Sequence, residues 1–375
     1  MRQIACFLPL ALATLFACGD SESSTPTQDA SVPDSGVAED AGPTGECASA
    51  PVQTFVANAG TNAQGFGATL NALYTLDTER GNELAGLQRS GAIMSVPKTG
   101  GTLADFYVPT DATHRIASFL TSDNDVYVLE YNPNDAATSG RLMRIPAAGG
   151  TATQVSDAAL NAGASSLADA DADSVYVVTP TSVSNFVVVR IMKASGAYTT
   201  IAEVMSGVPG NAHVFGSDFY FSFAQGTGPL YKAPISNTTP SQTKVTDRAC
   251  PGGIQFTSGG ALCGDALSLL KFDNAFTTST SVYEVAASPS DTEGSLPRPR
   301  GVDGDRVYFS LSVPESKRVS LRQLPLSGGP SAAVACNVGN VKAVKWDALR
   351  VYWLESRAEG DAEASVSEIY SQPRR

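Results

Sequence analysis

The sequence predicts an all-β domain folded as a seven-bladed β-propeller, and three observations predict it. A short strand opening on Val-Tyr or an equivalent recurs seven times. A second extended segment follows each copy, its best versions ending in Pro and a Gly-Gly turn. The copies stand 42 to 53 residues apart, about 46 on average. Each unit has room for four short antiparallel strands; one such sheet cannot bury both its faces, so the units must pack around a common axis. Composition agrees, since 34 Gly and 12 Tyr with 17% charged residues suit tight turns better than amphipathic helices. Six or eight blades are the alternatives, because the unit around Leu262 is worn.

In chain order, the first element is an address. Arg2 precedes an uncharged apolar run from Ile4 to Phe16, too short to span a bilayer comfortably. It ends in Leu15-Phe16-Ala17-Cys18, which resembles the lipobox of bacterial lipoprotein signal peptides, with Phe16 where a small residue is usual. The resemblance implies removal of residues 1–17 and lipidation of Cys18; ordinary secretory cleavage elsewhere is the alternative. Two acyl chains give stable anchoring where one is marginal. From Gly19 to Glu46 the chain has no aromatic residue, no Lys or Arg, and seven acids, Asp20, Glu22, Asp29, Asp34, Glu39, Asp40 and Glu46. Such a segment repels itself and buries too little to fold, so it reads as a tether. The expected organisation is a signal peptide over 1–17, a lipidated cysteine and acidic tether over 18–46, and a propeller over 47–375.

Four cysteines remain once Cys6 leaves with the signal and Cys18 takes lipid. An even number suits an oxidising compartment. Of the three pairings, Cys250 with Cys263 and Cys47 with Cys336 are preferred, the second closing the longer loop in the unfolded chain. No Cys-x-x-Cys pair supports a zinc site instead.

The unit's parts are legible. Its marker strand appears as Val126-Tyr127-Val128, Val175-Tyr176-Val177, Phe219-Tyr220-Phe221, Val307-Tyr308-Phe309 and Val351-Tyr352-Trp353, with weaker copies at Leu73-Tyr74 and Ala261-Leu262-Cys263. The following strand is clearest at Ser95-Val96-Pro97, Met143-Arg144-Ile145-Pro146 and Leu321-Arg322-Gln323-Leu324-Pro325, each leading to Gly-Gly. Gly-Gly admits the positive φ of a tight hairpin, and another strand follows. An inner strand precedes most markers, clearest from Val341 to Trp346. Val52 to Ala57 is a spare strand that would complete the last unit, closing the ring and removing an exposed edge.

This order of strands resembles that of YWTD-type and NHL-like propellers, and especially the repeat arrays of Gram-negative propeller lipoproteins, over roughly residues 50 to 373. The resemblance implies the architecture and export, and no common activity.

Several residue groups are candidates for chemistry. Asp123 and Asp125, Asp169, Asp171 and Asp173, and Asp303 and Asp305 precede marker strands, and oxygen ligands at alternate positions suit calcium. Turn formation through side-chain to backbone hydrogen bonds is preferred, because the Asp recurs with the repeat and no EF-hand pattern follows. His213, on the inner strand of the fourth unit, and His114, near the start of the corresponding strand two units earlier, are the candidate catalytic bases. A satisfied structural histidine is the preferred reading of each. Gly-x-Ser-x-Gly, His-Glu-x-x-His and Walker-type loops do not occur. The recurrent Tyr and the cations Arg144, Arg190, Lys232, Lys271 and Arg322 read as packing between blades. Function is expected where units differ, in the long intervals after Tyr74 and Tyr127 and the insertion from Ser288 to Arg300.

The formal charge of -12, half of it from the N-terminal segment, argues against nucleic acid as a partner. The expected protein is a monomeric outer-membrane lipoprotein, facing the periplasm or the exterior, that binds a protein or glycan. A lyase or hydrolase working at the central channel is the alternative.

Overall fold

The computed structural model describes residues 53–374 apart from short stretches at 62, 85–88, 123, 136–138, 157–159, 161–164, 183–184, 206–208, 224–227, 258–259, 266, 286–296, 314–317 and 359–364. β-Branched and aromatic residues alternating with Gly- and Pro-bearing turns form seven four-stranded antiparallel sheets. Each sheet is one blade of a seven-bladed propeller. Blades 1 to 6 occupy residues 63–107, 115–156, 166–205, 209–246, 254–284 and 297–338. Blade 7 takes its three inner strands from the C-terminal end, Asn340–Trp346, Arg350–Ala358 and Ser365–Pro373. Its outer strand comes from the other end of the domain, Thr54–Gly60. Thr54 lies opposite Ser371 and Phe55 opposite Tyr370, so the spare strand closes the ring as expected, running on to Gly60.

The worn unit around Leu262 is a complete blade. Leu262 sits at the marker position opposite Gln255 and Lys271, and the nearby Cys250–Cys263 disulfide ties the entry of blade 5 to its second strand. Cys336, on the outer strand of blade 6, is also disulfide-bonded. Cys47, the partner expected for it, lies outside the described residues, as does Cys18.

Seven apolar clusters make up the core, one at each junction between successive blades. The marker of the earlier blade packs in each: Tyr74 against Val126 and Val128, Tyr127 against Val175 and Val177, Tyr176 against Phe219 and Phe221, and so on round to Tyr352 against Phe66 and Leu73. Tyr220, Leu262 and Tyr308 serve the remaining three junctions. The marker side chains are therefore core. The recurrent cations also serve the frame, Arg144 on Asp125 at 2.7 Å and Lys232 on Asp218 at 3.1 Å.

The Gly-Gly turns repeat in geometry as well as in sequence. Gly100, Gly149 and Gly328 have φ of 95°, 87° and 87°, and each donates its N–H at 2.9 Å to the carbonyl of the strand-ending proline, Pro97, Pro146 or Pro325. An L side chain is strained there, which is why only glycine writes this turn cleanly.

One boundary differs from expectation. The insertion read as Ser288 to Arg300 ends earlier, because Pro297–Asp303 is the inner strand of blade 6. Two prolines disguise it. An innermost strand has a neighbour on one edge only, and prolines two residues apart turn their missing N–H groups to the same edge, so neither costs a ladder bond.

Candidate functional site

The inner strands, Ala63–Ala68, Arg115–Ser122, Ser166–Ala170, Pro209–Phe215, Ile254–Thr257, Pro297–Asp303 and Asn340–Trp346, surround the axis. Opposite the seven markers they carry Gly67, Leu120, Asp169, His213, Gln255, Gly301 and Lys345. This register brings an acid, an imidazole and an amine to one level of the ring. His213 Nδ1 is 3.6 Å from Asp169 Oδ2, and the imidazole meets Phe256 edge-on at 5.8 Å. Asp169 is already engaged, its Oδ2 accepting the Val214 N–H at 2.8 Å and its Oδ1 the Ala170 N–H at 2.9 Å. Such a carboxylate fixes the strand of the next blade, and at 3.6 Å it does not hydrogen-bond the imidazole into a catalytic tautomer.

His114 lies elsewhere, on the connection entering blade 2. Its Nδ1 is 2.9 Å from Asp111 Oδ2 and 3.2 Å from Thr113 Oγ1, and Asp111 Oδ1 accepts the Thr113 N–H at 2.9 Å. This is a self-contained turn beside the buried Glu130–Arg141 pair. The two sequence candidates therefore do not form one site.

Of the aspartates in these clusters, Asp171 forms the expected turn, whereas Asp125 and Asp303 pair with cations. Asp171 Oδ1 accepts the N–H groups of Asp173 and Ser174, and Oδ2 accepts the Tyr176 hydroxyl at 2.6 Å. Asp347 does the same for Leu349, Arg350 and Tyr352. Asp303 pairs with Arg374 at 2.6 Å. Asp123 lies outside the described residues. Among the described residues, no group of three or more His, Cys, Asp or Glu side chains converges as a metal site.

Sequence reasoning missed a groove of about 670 Å³ on the face that carries the first and third turns of each blade. It crosses blades 1 to 3. Leu70 and Asn71 come from the first turn of blade 1, Asn124 and Ala147 from the two turns of blade 2, and Ala172 and Lys193 from those of blade 3. The Asp125–Arg144 pair borders it. Lys193 lies over the Tyr127 ring at 5.2 Å from its centroid, and Leu70 is 75% exposed. Within the long intervals after Tyr74 and Tyr127, the connections from Asp77 to Ala92 and from Tyr131 to Arg141 join second to third strands, whose ends lie on the other face. The signal that marks the groove is Leu70 itself, a large apolar residue in a turn, and it means little until three blades stand side by side.

No protein-family model and no curated protein sequence matches the chain. Among solved structures it is similar to a prolyl endopeptidase (TM-score 0.54, 10% identity, 84% of this chain and 50% of that one). It is also similar to a puromycin hydrolase (TM-score 0.48, 10% identity, 81% and 60%). A chain from the nidogen–laminin complex aligns at TM-score 0.40 with 12% identity over 65% of this chain and 90% of that one. This chain thus spans half of the endopeptidase and three fifths of the hydrolase. The likeness shows the propeller fold and nothing finer.

Proposed function

We propose that the chain is a lipid-anchored binding module of the bacterial outer membrane, in which a YWTD- or NHL-like propeller stands off the bilayer on residues 18–46 and takes a protein segment in the groove across blades 1 to 3. The groove carries the binding reading. It joins an exposed leucine and small alanine turns to a rim of amides and paired charges, the mixture of apolar centre and polar edge that protein partners use. A glycan is less well served, because the aromatic face at the groove, Tyr127, is buried and covered by Lys193. Catalysis at the channel is also less well served, since Asp169 is occupied by backbone donors and His114 stands apart. Export is supported by the disulfides at Cys250–Cys263 and at Cys336, which persist in oxidising compartments.

The test uses the full chain in a Gram-negative host. Labelled palmitate should enter the wild type and not Cys18→Ser, and only the wild type should sediment with outer membrane. In-envelope cross-linking should yield a partner adduct that Leu70→Asp removes while Leu349→Asp, an exposed leucine on blade 7, leaves it intact. Equal labelling of the two forms refutes the anchor, and an adduct indifferent to Leu70 refutes the groove.

A further inference from the structure

The lining of the axis has the opposite charge to the molecule. The chain carries a formal -12, yet its seven inner strands hold Arg115, Arg298, Arg300, Lys342 and Lys345 against two carboxylates, Asp169 and Asp303. Both carboxylates are engaged, Asp303 by Arg374 and Asp169 by the N–H groups of Val214 and Ala170. Four of the cations stand on two neighbouring strands, Pro297–Asp303 of blade 6 and Asn340–Trp346 of blade 7. These strands approach closely enough that a Cβ on Gly301 would lie 2.4 Å from the Trp346 ring.

None of the four forms an ion pair among the described residues, although the charge of Asp169 acts on Lys345; Arg298 and Lys342 are exposed. Arg300 is partly buried, and among the described residues its guanidinium finds only Ser310 Oγ, through Nε at 3.0 Å. Burial, reinforced by the neighbouring Arg298, pulls its pKa down to about 10, which still leaves it charged at neutral pH. Lys345 is partly buried and makes no hydrogen bond or ion pair among the described residues. Burial lowers its pKa, and Asp169 of blade 3, across the axis, opposes that shift. Lys342 donates to two neutral acceptors, Ala63 O and Ser367 Oγ, both at 3.1 Å. A cation partly withdrawn from water without an ion-pair partner is costly, and a folded chain that sets two such cations beside two exposed ones on neighbouring inner strands has left charge there for something else to balance.

We propose that the blade 6–blade 7 wall of the central channel is a binding site for a small polyanion carrying two or more phosphate or carboxylate groups, held by the Arg300 fork and the Lys345 ammonium with Arg298 and Lys342 at its edge. The guanidinium fork matches two oxygens of such a group, and the two ammonium groups act as point charges that accept varied geometry. Within an acidic molecule a cationic channel focuses anions on the axis. The site is separate from the groove on blades 1 to 3, and each stands or falls alone.

The experiment is calorimetric titration of the full chain, in a low-salt buffer without polyvalent anions, with sodium pyrophosphate and separately with citrate. One saturable site per chain is expected for at least one of them, which also tells phosphate from carboxylate. Affinity should fall at least tenfold in Lys345→Gln and in Arg300→Gln, and stay within twofold in Lys244→Gln on the outer strand of blade 4. As a check that survives poor folding of either variant, Arg300→Lys keeps the charge and loses the fork, and should weaken binding by a smaller factor. Without ligand, Lys345→Met should melt higher than the wild type because it removes an unbalanced charge. No saturable binding of either anion, equal affinity in all variants, or a lower melting temperature for Lys345→Met overturns the proposal.

Discussion

Glu130 lies near the end of the second strand of blade 2 with no side-chain exposure, and it joins two blades. Arg141 donates to its Oε2 through Nε at 2.8 Å and lies 2.7 Å from it through Nη2, while the Tyr107 hydroxyl of blade 1 donates to Oε1 at 2.5 Å. Burial first, and then the charge and hydrogen bond of Glu130, hold the Tyr107 phenol far above its ordinary range, so it stays a donor at any accessible pH. Arg141→Met removes the cation and leaves the carboxylate enclosed, which costs about 3–5 kcal/mol. For a domain of this size that is a fall in Tm of roughly 5–8 °C. Glu130→Leu with Arg141→Met removes both charges and should recover most of the loss, short of about 1–3 kcal/mol for the unpaired Tyr107 hydroxyl. Adding Tyr107→Phe should recover that too. Urea unfolding is the assay, followed by far-ultraviolet circular dichroism for the whole ring and by tryptophan fluorescence for blade 7, where both tryptophans lie, Trp346 and Trp353. Coincident transitions license a two-state free energy. A cost below about 1 kcal/mol for Arg141→Met, or losses that simply add in the double variant, would refute the coupling.

Further expectations concern how the ring is held. Burial alone would raise the Asp347 pKa, but the N–H groups of Leu349 and Arg350 with the Lys98 ammonium at 3.0 Å outweigh it and hold the carboxyl below its usual range. Its contribution is therefore fully present above the unfolded value of about 3.9 and lost as pH falls through the lower folded value. Asp347→Asn should reduce stability at pH 7 and flatten the acid limb of a stability–pH curve, and an unchanged limb would contradict this. Deleting residues 1–61 removes Thr54–Gly60 and bares the Ser365–Pro373 edge. Light scattering should then show association, and a monodisperse truncated chain would argue that closure does not depend on that strand. Gly301→Ala should cost about 1–3 kcal/mol by overpacking against Trp346, whose ring is stacked on Tyr308 at 5.9 Å, and should shift the tryptophan emission. Unchanged stability and emission would mean that the two inner strands can part.

Much of the fold was legible because it is periodic. The Val-Tyr strands announced themselves through alternation, and the Gly-Gly turns through a backbone conformation that glycine alone adopts without strain. Even the worn unit kept Leu262 at the marker position, where it fills the junction between blades 5 and 6 as the tyrosines fill theirs. The inner strand of blade 6 begins inside the stretch that reads as an insertion, because proline is a strand-breaking signal everywhere except on an unpaired edge, and the edge exists only once the ring does. His213 was rightly placed on an inner strand. Its neighbour Asp169 belongs to another blade, 44 residues earlier, and no local pattern pairs them.

The sequence alone determined the repeating unit and the strand lent from one end to the other, because each follows from spacing and from the conformations that particular residues allow, while the ring itself decided for seven blades over six or eight. Tertiary structure decided where chemistry is concentrated. Arg298, Arg300, Lys342 and Lys345 are ordinary basic residues in a linear reading, and Leu70, Asn124 and Lys193 are unrelated turn positions. Winding the blades about one axis sets the first four on two neighbouring inner strands and draws the other three around a single groove, since electrostatics and shape depend on distances in space that the order of residues does not contain.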